Sequence, residues 1–314
     1  MSQTYRATGI NLKAIPMGET DRLITILSPE FGLIRGIAPG SRKYKSRLGG
    51  RSDLFVINDW LIVKGKRLDK FVQAETRQTF PGLSQHLGKL TASQYLAEMV
   101  MMMALSDCPQ ADLFHLFVEH LERIEALPPG GILAALCHGV YHLLALAGVA
   151  PEVHRCCTTR VDIVPNFLDV AWQVHFSPEA GGLVLPVDPQ PGPIAPGSRS
   201  AVKSAVESEV LTHQHRSGRA HDSAQSYRVH SNRAEDPLGK HQLSALHVAL
   251  LQQLSKPELI TTLPTGPTAL PAAGAVKAQD LWARIERLLR EYAEHYFERS
   301  IRSATLVDVC MATV

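Results

Sequence analysis

Between Tyr5 and Gln78 the chain runs through five short β-type segments, each closed off by a turn signal, and that spacing leaves few architectures open. YRATGINLKAI, RLITILS, LIRGIA, LFVINDWLIVKG and KFVQAETRQ are rich in Ile, Leu, Val and Thr. Pro16, Gly18, Pro29, Gly32, Pro39, Gly40, Gly49, Gly50 and Gly65 punctuate them. Five strands in fewer than 80 residues are too few for a large sandwich. Closure into a small barrel removes the exposed edges, and a five-stranded OB-type barrel is the economical solution.

From Leu83 the apolar period becomes helical. SQHLGKLTASQYLAEMVMMMAL, ADLFHLFVEHLERIEAL and GILAALCHGVYHLLALAG predict three helices, with breaks at Pro109 and at Pro128-Pro129-Gly130. The third is apolar nearly all round, which places it at the centre of a helical domain, and its two histidines argue against a membrane. The four methionines Met99, Met101, Met102 and Met103 read as core packing. After Gly148 an irregular Cys-containing stretch leads into VAWQVHFSPEAGGLVLPV, which predicts a hairpin turning near Gly181-Gly182. Residues 188–237 lose apolar periodicity and are rich in Pro, Ser, Gly, His and Arg, the composition of a flexible insertion. Order is expected again from 238, ending in a helix with Leu281, Trp282, Ile285, Leu288, Leu289, Tyr292, Tyr296 and Phe297 on one stripe. The expected class is α+β. A barrel domain occupies 1–80, the first part of a helical domain 81–187 with its irregular Cys and hairpin region from about 149, an insertion 188–237, and the rest of the helical domain 238–314.

Charge is unevenly distributed. The whole chain has a formal net charge of +2, yet residues 1–70 hold 13 Lys and Arg against 6 Asp and Glu. That asymmetry points to an anionic partner at the N-terminal end. The opening residues contain no apolar core of signal-peptide length, and no run reaches roughly 18 uninterrupted apolar residues, so a cytoplasmic protein without a membrane span is expected. Five irregularly spaced cysteines (Cys108, Cys137, Cys156, Cys157, Cys310) do not form a disulfide framework.

The charge concentrates in GSRKYKSRLGGR, residues 40–51, where Arg42, Lys43, Lys45, Arg47 and Arg51 sit with Tyr44 and no acid. Solubility does not require such a run, and the glycines and serines beside it let the loop lie against a polyanion, so phosphate binding is the preferred reading. Arg35, Lys64, Lys66, Arg67 and Lys70 extend the surface from neighbouring segments. Tyr44 is a candidate stacking platform, whereas Phe31, Phe55, Trp60 and Phe71 read as barrel core. Cys156-Cys157 with His154 lacks a second ligand pair and is a poor zinc site. His138 and His142, at i and i+4, can in principle hold a metal, but with no fitting carboxylate they read as core or rim histidines. The chain carries no P-loop, GxGxxG, GxSxG or HExxH motif, so nothing in it supports an enzyme.

TGINLKAIPMGETDRLITILSPEFGLIRGIAPGSRKYKSRL resembles the opening of the bacterial RecO family, with its Gly-Glu-Ser/Thr-Asp turn (Gly18, Glu19, Thr20, Asp21), its turn glycine (Gly32) and its basic segment (Gly40, Arg42, Lys43, Lys45, Ser46, Arg47). LALAGVAPEVHRC, FSPEAGGLV and the closing SIRSATL look like later landmarks of the same family. The resemblance implies a non-enzymatic recombination mediator that binds single- and double-stranded DNA, anneals complementary strands, works with RecR and the C-terminal tail of the single-strand-binding protein SSB, and assists RecA loading at the nucleoid. On that reading DNA is held by Arg35, Arg42, Lys43, Tyr44, Lys45, Arg47, Arg51, Lys64, Lys66 and Arg67, with no cofactor. Many members of the family carry a four-cysteine zinc module. Here Cys156 fits the first position, but Thr159, Leu185 and Asp188 stand where the others align, so zinc is not expected there. The alternative is a protein-interaction adaptor whose helical domain binds partners while the basic barrel contacts RNA or another acidic surface.

Overall fold

A computed structural model of the chain describes residues 3–186, 241–259 and 278–311. The expected insertion at 188–237 lies outside the described residues.

The five predicted strands form β1 (Thr4–Met17), β2 (Asp21–Ser28), β3 (Gly32–Ala38), β4 (Ile57–Val63) and β5 (Asp69–Gln78), closed in the order β1-β2-β3-β5-β4. This is an OB-type barrel. β1 is long enough to pair with β4 through its first half and β2 through its second, and its register breaks between Asn11 and Lys13, where it turns from one neighbour to the other. The barrel closes through a short parallel contact, Gly36 opposite Asp69 and Ile37 opposite Lys70. A Cβ on Gly36 would lie 2.7 Å from the Asp69 carbonyl oxygen and 2.8 Å from the Phe71 ring, so only glycine lets β5 come this near β3. Ile24, Ile26, Ile34, Ile62, Phe71 and Trp60 fill the interior, the last two with ring centroids 4.7 Å apart.

A second buried cluster starts at one end of the barrel, with Ile10, Leu12, Leu27, Phe55 and Ile57, and continues through the helices. After a short turn of helix, α1 (Pro81–Ser84), come α2 (Leu87–Met103), α3 (Ala111–Ala126) and α4 (Ile132–Leu146). The junction is main chain as well as side chain, since Leu33 N–H donates to the Leu105 carbonyl at 2.8 Å and Gln110 N–H to that of Pro29 at 2.9 Å. A Cβ on Gly32, whose φ is +67°, would fall 2.1 Å from the Leu105 carbonyl oxygen. By length and composition Pro129–Leu146 is apolar enough to cross a membrane, but it is 72% buried as the central helix, packed on α2 and α3 and on α5 (Ala245–Leu254) and α6 (Ala278–Phe297).

The predicted hairpin is β6 (Gln173–Ser177) with β7 (Gly182–Val184). It gains a third strand that the sequence did not announce, β8 (Gln242–Ser244), on the other edge of β6. Three residues carry no readable period, and β6 would otherwise leave an unpaired ladder. The closing helix also stops burying its stripe earlier than expected. Tyr292 is buried, Tyr296 is 44% exposed against it, and the chain turns into a further helix, α7 (Ala304–Met311), packed on α2.

Candidate nucleic-acid interface

The long connection from β3 to β4 carries the basic run. Its path is a series of tight turns, with Lys43 N–H donating to Gly40 O, Ser46 N–H to Lys43 O and Gly49 N–H to Ser46 O, ending in a 3-10 turn at Gly50–Ser52. Leu48 anchors it by entering the barrel core. The far side is latched to the β1–β2 turn. The Asp21 carboxylate accepts from Gly40 N–H and from the Thr20 hydroxyl, both at 2.8 Å, while Arg42 N–H donates to Thr20 O and its Nη1 to Gly18 O, again at 2.8 Å. The Gly40 amide holds the Asp21 carboxyl below its usual range, helped by Thr20 and the nearby Lys43 and Lys70. Gly18-Glu19-Thr20-Asp21 is therefore the clamp that shapes the basic loop.

Arg42, Lys43, Lys45 and Arg47 are exposed on this loop, and none is ion-paired with a described residue. Tyr44 is 92% exposed, with the Lys45 ammonium 5.6 Å from its ring centre. Arg51 differs: it is half-buried, its guanidinium donates to the Arg47 carbonyl, and its own carbonyl accepts from Asn11 at 2.7 Å and Asn58 at 2.9 Å. Its structural part in the loop is plain.

A second basic group lies on the β4–β5 turn. Gly65 N–H donates to Asp69 Oδ1 at 3.0 Å, so an aspartate latches this turn as Asp21 latches the first. Arg35, Lys64, Lys66 and Arg67 line a cleft of about 470 Å³ with Tyr5, Phe31 and Asp107. Lys64 is shared between Asp69 and Asp107, each at 3.6 Å, whereas Arg35, Lys66 and Arg67 form no ion pair with a described residue. Tyr5 was not singled out from the sequence. It donates to Asp69 at 2.5 Å and packs edge-on against Phe31 at 5.2 Å, and burial together with the Asp69 bond pushes its phenol well up.

The two groups flank the parallel β3–β5 contact: the β3–β4 loop leaves beyond Ala38, whereas the β4–β5 turn enters β5 at Asp69, opposite Gly36, on the side of Phe31, Leu33 and Arg35. The face of β1, β4 and β5 is different: Arg6 and Arg77 there lie among Glu30, Asp59 and Glu75, and Arg77 is bonded to Asp59 at 2.6 Å. On the loop Arg42, Lys43, Lys45 and Arg47, and at the cleft Arg35, Lys66 and Arg67, thus lack an ion pair with a described residue, unlike Arg77 on this face. Phe55, Trp60 and Phe71 are buried as expected, while Phe31 is half-buried at the cleft wall.

In the irregular region, Cys156 is buried and its sulfur is an acceptor. Thr158 Oγ1 lies 3.3 Å away, Thr159 N–H donates at 3.5 Å and Leu185 N–H at 3.3 Å. Burial pushes the thiol up, and the hydrogen bonds from Thr158, Thr159 and Leu185 outweigh it and bring it to about 6. Thr159 and Leu185, aligned with absent zinc ligands, meet the sulfur through their main-chain amides, and Asp188 lies outside the described residues. Changing Cys156 to Ala strands these donors and is expected to lower stability by about 1–3 kcal/mol. A urea-unfolding midpoint equal to the wild type would show that the knuckle packs without the sulfur.

A closed OB-type barrel with a latched basic loop, running into a helical body built around one apolar helix, defines a barrel-plus-helix class of protein. Within that class the chain belongs to the RecO family. Residues 1–80 match the family description "Recombination protein O N terminal" and residues 84–200 match "Recombination protein O C terminal". Relatives named "DNA repair protein RecO" include that of Nostoc sp. (strain PCC 7120 / SAG 25.82 / UTEX 2576), 45% identical over 98% of this chain and 96% of the relative. That of Gloeothece citriformis is 46% identical over 98% of both. The protein of Synechocystis sp. (strain ATCC 27184 / PCC 6803 / Kazusa) is 37% identical over 98% of this chain and 97% of its own length.

Proposed function

We propose that this chain is a DNA-binding recombination mediator of gap and double-strand-break repair, which holds single- and double-stranded DNA on the β3–β4 loop and the β4–β5 turn and anneals complementary strands. Membership of a family whose members are named DNA repair proteins supports repair as the setting. The observation that carries the binding reading is the group Arg42, Lys43, Lys45 and Arg47, exposed, without a described acidic partner, on a loop whose backbone is clamped to the barrel. Fixed cations beside a stacking ring suit a flexible single strand, whose phosphates need neutralising and whose bases need a platform.

Annealing follows from the same charges. Two polyanions are kept apart chiefly by their own repulsion, and a surface that neutralises both lets base pairing proceed without covalent chemistry or a cofactor. As the family resemblance implies, RecR and the SSB tail would be its protein partners and RecA the downstream recipient of the strand, in the cytoplasm at the nucleoid. The test is the annealing rate of complementary oligonucleotides with and without protein over a range of salt. Acceleration that fades as salt rises is expected; equal rates with and without protein would sink the reading.

A further inference from the structure

In the helical body three imidazoles from two helices meet. His120 comes from α3, and His138 and His142 come from one face of α4. The centroids of His138 and His142 are 3.9 Å apart, each lies 5.4 Å from that of His120, and one nitrogen from each ring lies within 4.8 Å of the others. To the i, i+4 pair that spacing alone places on α4, packing thus adds a third ring from another helix.

Main-chain carbonyls set the tautomers. His138 Nε2 donates to Lys256 O at 2.9 Å, and His142 Nε2 donates to Leu254 O at 3.0 Å and Lys256 O at 3.1 Å. Each Nδ1 is left as a lone pair, the arrangement that orients metal-binding histidines. A cation already sits among them. Arg123 donates from Nη1 to His138 Nδ1 at 2.7 Å and to His120 Nδ1 at 3.2 Å, and from Nη2 to Glu119 at 2.6 Å. His120 Nε2 is buried with no hydrogen-bond partner among the described residues.

We propose that His120, His138 and His142 form a site for a borderline divalent transition metal, zinc above others, which enters by displacing the Arg123 guanidinium. All-imidazole ligation suits zinc, copper, nickel and cobalt rather than magnesium or calcium. The guanidinium has an exit: the Arg123 side chain is 19% exposed and its partner Glu119 55% exposed. Glu119 or water supplies the fourth position. Tetrahedral zinc with bonds of about 2.0 Å places its nitrogens about 3.3 Å apart, so the cluster contracts on binding and ties α3, α4 and the turn at Leu254–Lys256 together. Neither Cys156 nor any partner of its sulfur is among the ligands of this site.

The test uses the full chain, stripped with a chelator and titrated with Co²⁺ and then Zn²⁺, as wild type, His138→Gln and Arg123→Met. One tetrahedral Co²⁺ per chain, without a thiolate charge-transfer band and displaced by Zn²⁺, is expected for the wild type and is lost in His138→Gln. Arg123→Met should bind about tenfold tighter or better, because a unit positive charge beside a divalent ion has been removed. Wild-type uptake matching that of a folded His138→Gln, a thiolate band, or unchanged affinity in Arg123→Met overturns the proposal. Where His138→Gln does not fold, the Arg123→Met comparison decides by itself.

Discussion

Changing Arg42, Lys43, Lys45 and Arg47 together to alanine flattens the salt dependence of single-stranded oligonucleotide binding by a slope of about 3, since each phosphate contact on a single strand contributes roughly 0.7. Between about 50 and 200 mM salt the wild type then loses about 50-fold more affinity than the variant. Anisotropy titrations at several salt concentrations read both quantities. The variant is expected to fold, because the loop is held by groups that alanine keeps: Gly40 N–H on Asp21, Arg42 N–H on Thr20 O and Leu48 in the barrel core. Among the described residues the one side-chain bond lost from the four is that of Arg42 to the Gly18 carbonyl, at an exposed position where water replaces it. Coincident slopes in a folded variant move the DNA site off this loop and favour the adaptor reading, in which the barrel meets RNA or another acidic surface. Arg35 of β3 with Lys66 and Arg67 of the β4–β5 turn, which line the separate cleft, would be the next group to neutralise.

What was legible in the sequence follows from how local each signal is. The five strands could be read because their alternation and turn residues are contiguous, and the basic loop because its charges are neighbours in the chain. Barrel closure at Gly36 depends on a contact with Asp69 and Phe71, more than thirty residues away, and leaves no local mark. Tyr5 looked like any strand aromatic until Asp69, 64 residues on, gave its hydroxyl a partner. Counting charges also cannot distinguish free ones from engaged ones. Arg51 turns its guanidinium back onto its own loop, and Lys64 is held between Asp69 and Asp107, the latter from the α2–α3 connection. The histidine cluster was half visible for the same reason: i and i+4 on α4 can be read, whereas the approach of His120 from α3 is a matter of packing.

The largest stability effect is expected where a positive charge faces inward. Glu286 on α6 is buried, with a side chain 2% exposed, and Arg290 one turn later grips it with Nη2 at 2.5 Å and Nε at 3.1 Å while reaching Asp308 on α7 at 3.0 Å. Burial pushes the Glu286 carboxyl up, and Arg290 only partly offsets this. Arg290→Met removes the counter-ion and leaves a carboxylate in the helical core, with an expected loss of about 3–5 kcal/mol at neutral pH. The sign of its pH dependence is fixed. An acid whose pKa is higher folded than unfolded holds its proton more tightly in the folded state, so the deficit is small near the ordinary glutamate value of about 4.3 and grows as pH rises towards the elevated folded value. Urea unfolding at about pH 5 and about pH 8 should therefore show the variant closer to the wild type in the acid sample. Adding Glu286→Gln, which removes the stranded charge, should recover much of the loss and flatten the pH trend. An equal deficit at both pH values would mean that Glu286 is not the group left uncompensated. The same side-chain chemistry thus has opposite consequences in the two halves of the fold: on the barrel loop the missing partner leaves a charge free for a ligand, and in the helical core the partner is what permits the charge to be buried at all.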